Sequence, residues 1–170
     1  MALDAQVNKS SPTNFELVFP KLPTETNLAA TNELSLNIFQ TILPSLTLDG
    51  EEQNFQGAKR LSASGSLTYE PWNVNFIVDS SFYNWYALYK WIAYIHNGRT
   101  KYAEKPSNYA VDATLMLKDN FRNEIFRIKF IGVWITMLGE MNLSYREGEQ
   151  KMECNATFNY DYFDISEVLS

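Results

Sequence analysis

One cysteine and one histidine are all that 170 residues offer for thiol or imidazole chemistry. A lone Cys154 excludes an intrachain disulfide framework and every multi-cysteine metal site, and a lone His96 excludes clusters of the HExxH kind. Basic residues are outnumbered: 14 Lys plus Arg face 20 Asp plus Glu, a net charge of −6 that argues against a general binder of nucleic-acid phosphates. Uninterrupted apolar runs fall short of the roughly 20 residues of a membrane-spanning helix. Met1 to Pro12 lacks the apolar stretch of a secretory signal, so a soluble product of a reducing compartment is expected. GxSxG, GxGxxG, a phosphate-cradling glycine loop and an EF-hand loop are missing too. No residue is assigned as catalytic, cofactor-binding or metal-ligating. His96 is expected beside the last carbonyls of a helix, and Cys154 as a buried, inert thiol. The carboxylates Glu140, Glu153 and Asp161 fall on polar strand faces among Arg146 and Lys151, as a solvated face would have them.

What remains is a chain of 45% hydrophobic residues, long enough for one domain with a full core. Its dominant pattern is alternation. Apolar residues recur at every second position in Phe15–Phe19, Leu34–Ile42, Leu67–Val78, Tyr109–Leu117, Phe126–Trp134, Met141–Tyr145 and Met152–Tyr162. Such alternation predicts antiparallel sheet with one wet face. Residues 45–65 read as a long hairpin loop with frayed strands and a turn at Asp49-Gly50. Residues 81–97 are the one convincing helix, opened by Asp79, Ser80 or Ser81 and stopped by Gly98. The predicted architecture is mainly β: an antiparallel β-barrel or sandwich with one flanking α-helix. Residues 1–14 read as a flexible N-terminal arm, 15–165 as the domain and 166–170 as a C-terminal tail.

The helix carries more apolar surface than one core requires. On a helical wheel its apolar residues fill an arc of roughly 220°, where a surface helix needs little more than 100°. Either the whole helix is buried within its own chain, or one flank packs on a neighbouring copy. The second reading puts Phe82, Tyr83, Tyr86, Leu88, Trp91, Tyr94 and Ile95 at a subunit interface, where Tyr and Trp bring area and a polar tip together. Arg127 and Lys129, beside Lys118 and with Arg122 as a further candidate, form a basic stripe too small for a nucleic-acid footprint.

The order of features resembles the tail tube proteins of contractile-tailed bacteriophages, a family related in fold to the tubes of type VI secretion. The signals run from Ile42-Leu43-Pro44, through Tyr69-Glu70-Pro71-Trp72-Asn73-Val74 and Val78-Asp79, to a helix bearing Trp85 and Trp91. They continue with Phe130-Ile131-Gly132-Val133-Trp134, Leu138-Gly139-Glu140 and Tyr160-Asp161-Tyr162-Phe163. Two features depart from the family pattern: Ile135-Thr136 follows the Trp where proline is usual, and the connection from Leu22 to Glu33 is long.

The resemblance implies hexameric rings that stack into a hollow tube through which DNA passes, with each subunit giving a sheet to a continuous inner β-barrel. It implies a structural role in the virion, assembly in the host cytoplasm, and sheath, tape-measure and baseplate proteins as partners. The 45–65 loop would reach the next ring, with Asp49, Glu51, Glu52, Lys59 and Arg60 setting register through charge. Glu140, Asn142, Ser144, Arg146, Lys151, Glu153, Asn155, Thr157, Asn159 and Asp161 are the lumen-facing candidates on a hairpin with one polar face. A baseplate initiator or terminator of the same fold is the first alternative. A monomeric barrel binding a small apolar ligand, and a hydrolase with a hidden carboxylate pair, are more remote.

Overall fold

The computed structural model describes residues 15–23, 34–96, 106–118, 123–141, 143 and 151–167. Along them lie β1 (Phe15–Phe19), β2 (Leu34–Leu36), β3 (Ile38–Thr41), β4 (Leu46–Phe55), β5 (Ala58–Tyr69), β6 (Trp72–Ile77), α1 (Tyr83–His96), α2 (Pro106–Tyr109), β7 (Val111–Lys118), β8 (Glu124–Leu138), β9 (Glu153–Asn159) and β10 (Tyr162–Glu167). Eight strands hydrogen-bond into one antiparallel sheet in the order β2-β1-β7-β8-β9-β6-β3, with β10 also on β8; β4 and β5 pair only with each other.

Two devices fold this sheet into layers. The first is β8, which pairs through its first half with β7 and β10 and through residues 134–138 with β9. Strands that switch partners this way make the corners of sandwiches. The corner is Gly132, in the left-handed region at φ 66°. A Cβ there would overlap the carboxylate of Asp161, the residue at which β9 turns into β10. The Asp161 N–H donates to the Ile131 carbonyl at 3.0 Å and holds the two bends together. The second device is Asn37, which alone separates β2, paired with β1, from β3, paired with β6. The first and last strands of the sheet are thus consecutive stretches of one segment. One layer is β2, β1, β7, the first half of β8 and β10. The other is β3, β6, β9 and the second half of β8.

Between the layers lie the inward members of each alternation. They include Leu17 and Phe19 from β1, Trp72, Val74 and Phe76 from β6, Ile128 and Phe130 from β8, and Ala156 and Phe158 from β9. Trp72 stacks flat on Phe130 with ring centres 4.0 Å apart, one ring from each layer. Burying each such side chain contributes about 1.5–3 kcal/mol, so alternation is what selects this pairing.

Helix α1 leans over the join. Trp91 is wholly buried, with Phe19 of one layer at 5.7 Å and Phe158 of the other at 6.1 Å between ring centres. Its indole N–H donates to the Tyr109 carbonyl in α2 at 2.9 Å. Asn84, the one buried polar side chain among the described residues, fixes the entry to the helix. Its amide donates to the Ile77 carbonyl at 2.8 Å, and its oxygen accepts from the Asp79 N–H at 3.3 Å. The Asp79 carboxylate in turn accepts from the Asn84 N–H at 3.3 Å, so Asp79 is the cap.

The structure corrects several sequence expectations. The hairpin expected over 45–65 is present, but its strands are long rather than frayed: β4 and β5 pair along their length, and their turn is Gln56-Gly57, at φ 50° and 84°. Positive φ at both positions is what a two-residue turn matching strand twist requires. Asp49-Gly50 falls instead at a bulge within the hairpin. The predicted strand Leu67–Val78 breaks at Glu70-Pro71, where the chain leaves the hairpin and enters the main sheet; proline cannot donate to a ladder. The predicted strand Met141–Tyr145 is not the partner of β9; Met141 and Leu143 are coil, and the second half of β8 takes that place. Helix α1 is shorter at its start than 81–97, since Ser81 and Phe82 precede it. Ser166 and Glu167, placed in a tail, belong to β10. Residues 1–14, 97 and 168–170 lie outside the described residues.

Candidate assembly surfaces

The outward face of the second layer carries no cation and is rich in amides. Because Trp72, Val74 and Phe76 point inward, Asn73 and Asn75 point outward; on β9, inward Cys154, Ala156 and Phe158 leave Glu153, Asn155, Thr157 and Asn159 outside. Cross-strand contacts join them: the Thr157 hydroxyl donates to Asn73 Oδ1 at 2.8 Å, and the Asn75 amide to Gln40 Oε1 at 3.3 Å. Strands β3, β6, β9 and residues 134–138 hold a single charged residue, Glu153, and no Lys or Arg. Of the lumen-facing candidates, Glu153, Asn155, Thr157 and Asn159 share this face. Glu140 and Lys151 stand in exposed coil, and Asp161 lies at the bend after β9. Asn142, Ser144 and Arg146 lie outside the described residues. Gln40, Asn73 and Asn75 were missed, although the alternation of Trp72, Val74 and Phe76 already implied that Asn73 and Asn75 point the other way.

The other layer differs in chemistry. Its outer face carries ion pairs, Lys118 with Glu16 at 2.6 Å, Arg127 with Glu124 at 2.7 Å and Lys129 with Asp112 at 3.0 Å. Three cations of the basic stripe seen in sequence, Lys118, Arg127 and Lys129, are thus each matched by a carboxylate, and Arg122 lies outside the described residues. The Arg127 hydrogen bonds hold the Glu124 carboxyl below its ordinary value.

The helix divides differently from expectation. Leu88 and Trp91 are wholly buried in their own chain and are withdrawn as interface residues: each faces the sandwich, not outward. Tyr83, Tyr94 and Ile95 are half-buried. Phe82 and Tyr86 stay exposed, joined by Tyr89, which the sequence reading left out. Tyr89 stacks on Trp85 at 5.7 Å and on Tyr86 at 6.4 Å, and the Lys90 ammonium sits 5.3 Å over the Tyr86 ring. Phe82 sits at φ 57°, unusual for a bulky residue.

The five charged residues assigned to the loop all lie on the hairpin. Glu52 and Lys59 pair across it at 3.1 Å, fully in solvent, which contributes little to stability. Asp49 is at the bulge, while Glu51 and Arg60 lie opposite Ser62 and Gln53. The hairpin root is keyed to the body by Tyr69, whose ring meets Tyr160 at 5.8 Å and Phe163 at 5.9 Å.

The Cys154 thiol is buried, donates to the Gly139 carbonyl at 3.5 Å and is pushed up by desolvation. His96 is exposed as the last residue of α1. A depression of about 310 Å³ touches Glu140 and Glu153, but no group of three metal-ligating side chains occurs among the described residues. No helix among them is long and apolar enough to cross a membrane. Burial, with Tyr69 and Glu70 nearby, pushes the Tyr160 phenol up to about 12, and its hydroxyl donates to the Glu70 carbonyl at 3.0 Å. With the folded value above the unfolded one near 10, this contribution is intact below pH 10 and is lost as pH rises from about 10 to 12. Urea titrations across that range should show a smaller alkaline loss for Tyr160→Phe than for the parent; equal losses would contradict the assignment.

Comparison with solved structures places this architecture. The sheath–tube complex of an extracellular contractile injection system, PVC, contains a chain similar at TM-score 0.68 and 11% identity, with 99% of this chain and 100% of that one covered. The tube-terminating cap of the anti-feeding prophage gives TM-score 0.68 at 13% identity, over 99% and 100%. Hcp1 of Escherichia coli EAEC 042 gives 0.56 at 12%, over 91% and 92%. At such identities these likenesses show the fold. Among curated proteins, none matches the chain well enough to count as a relative. The sequence profile described as phage tail tube protein matches residues 10–166. With nearly the whole chain matched and the fold in agreement, the chain belongs to the phage tail tube protein family.

Proposed function

We propose that this chain is a structural tube subunit without a catalytic role. Six copies close into a ring, rings stack into a hollow tube, and the amide face of the second layer lines the bore through which DNA passes. The observation that carries this is the chemistry of that face: four strand segments with no cation and one carboxylate. A wall studded with Lys or Arg would release counterions and grip the polyanion, whereas a hydrogen-bonded wall without cations lets it slide. Size agrees. Six four-stranded layers give roughly 24 strands, and at about 4.8 Å each a circumference on the order of 115 Å, or roughly 37 Å across between backbones before strand tilt widens it.

The ion-paired layer and the aromatic helix face remain for neighbouring copies and outer partners. Sheath and baseplate proteins are the partners that a tube requires on its outside and at its end, and a tape-measure protein is the one it requires within. Assembly in the host cytoplasm and residence in the virion follow from the same reading. A tube-end role is the second reading, favoured by similarity to a terminating cap equal to that with a tube complex. Electron microscopy of the purified full chain at high concentration tests both. Six-fold rings with tubes are expected, rings that never stack would favour the tube-end role, and uniform single copies would overturn the proposal.

A further inference from the structure

We infer that Gly139 is a positioning residue of the channel wall: by carrying no side chain it leaves the space in which the Asn155 amide lies, and so keeps that amide flat along the wall instead of standing into the bore. This rests on the bore-facing placement of the second layer proposed above and adds the residue that shapes one level of it. Gly139 follows Leu138, the last residue of β8, which lies opposite Ala156 of β9. Its N–H donates to the Asn155 carbonyl at 2.7 Å, so Gly139 and Asn155 stand side by side. A Cβ built on Gly139 would overlap the Asn155 side-chain oxygen, and would lie 2.6 Å from Asn155 Cγ and 3.0 Å from the Asn155 carbonyl oxygen. The Asn155 amide thus covers the glycine, on the face it shares with Glu153 and Thr157.

The backbone does not call for a glycine here. Gly57, Gly65 and Gly132 have φ in the left-handed region and Gly139 does not, so alanine can adopt its conformation. A glycine also costs the fold stability, since it has more freedom to lose than alanine. What it provides is space, and the group that fills that space is polar, exposed and on the amide face. The neighbouring amides are held down in another way. Asn75, opposite Asn155 on β6, donates to Gln40 at 3.3 Å, and Asn73 accepts from the Thr157 hydroxyl at 2.8 Å. For Asn155 the seat is the gap at Gly139. A wall whose amides lie flat offers a passing polyanion fewer free donors, whereas a standing amide presents its N–H groups to the phosphates.

The test compares the full chain with Gly139→Ala, Asn155→Ala and the two together. At dilutions where the chain is a single copy, Gly139→Ala should melt about 2–5 °C below the parent, because the new methyl drives the amide from its seat. Added to Asn155→Ala, whose seat is already empty, the same change should not lower the melting temperature. Equal shifts in the two backgrounds would overturn the pairing. Cryo-EM of the tubes supplies a readout that packing alone does not move. In the parent the Asn155 amides of a ring lie against the wall over Gly139. In Gly139→Ala they stand into the bore and narrow it at that level only, and in the double variant the bore is at least as wide as in the parent. Amides that stay on the wall in Gly139→Ala, with the bore unchanged, would overturn the inference and leave the proposed function intact. Failure of Gly139→Ala to form tubes would assign Gly139 to assembly and overturn it too. A parent ring whose bore is lined by the ion-paired layer would instead overturn the proposed function.

Discussion

Replacing Trp91 with alanine is expected to cost about 3–5 kcal/mol of folding stability and to lower the melting temperature by about 10 °C or more. Three things are lost together. The ring fills the seam between the layers against Phe19 and Phe158, the cavity left behind is walled by strands that cannot collapse, and the Tyr109 carbonyl loses its donor. Tyr86→Ala, one turn away on the exposed face, should move stability by no more than about 0.5 kcal/mol. Thermal melts of the two variants side by side make the comparison. A Trp91 variant as stable as Tyr86→Ala would mean that Trp91 serves a neighbouring subunit after all.

Gly132→Val is the second large effect, about 3 kcal/mol. The left-handed backbone at φ 66° costs a non-glycine residue about 1–2 kcal/mol, and more when it is β-branched. The new side chain also drives into the Asp161 carboxylate at the one place where both β8 and the β9–β10 segment change layer. Adding Asp161→Ala removes the overlap but not the backbone strain, so chemical denaturation of the double variant should recover part of the loss. Full recovery would show that φ at this corner is not constrained; no recovery would show that the overlap is not what hurts.

The strands that hold the core were legible because each has one dry and one wet side: Trp72, Val74 and Phe76, or Cys154, Ala156 and Phe158, announce their faces by period alone. Partners were less legible. Nothing local in Phe126–Leu138 says that the strand serves two layers; that follows from Gly132 meeting Asp161, a contact 29 residues apart in sequence. The extent of the hairpin and its turn were less legible. Most of the described side chains of its strands are exposed, so burial imposes no alternation on them, and the turn is set by Gln56-Gly57 rather than by the stronger-looking Asp49-Gly50.

The helix shows the limit of a wheel. The wide apolar arc spans a face buried on the sandwich and a face left exposed, and the wheel alone has no origin. It could not say that Trp91 and Leu88 face the sandwich while Tyr86 and Tyr89 face away. Asn84, a polar residue within that arc, is the residue that ties α1 to the end of β6. The amide-rich face was half visible: β9 supplied Asn155 and Thr157, whereas the matching amides of β3 and β6 come from segments more than 70 residues earlier and meet them only through the sheet order.

The most direct measurement is a cryo-EM reconstruction of the particles formed by the full chain, at a resolution that shows side chains. The account predicts a closed ring with Asn73, Asn75, Asn155 and Thr157 facing an open bore, and the Lys118–Glu16 and Lys129–Asp112 pairs away from it. A ring whose bore is lined by those ion pairs, or a particle with no bore, would contradict it.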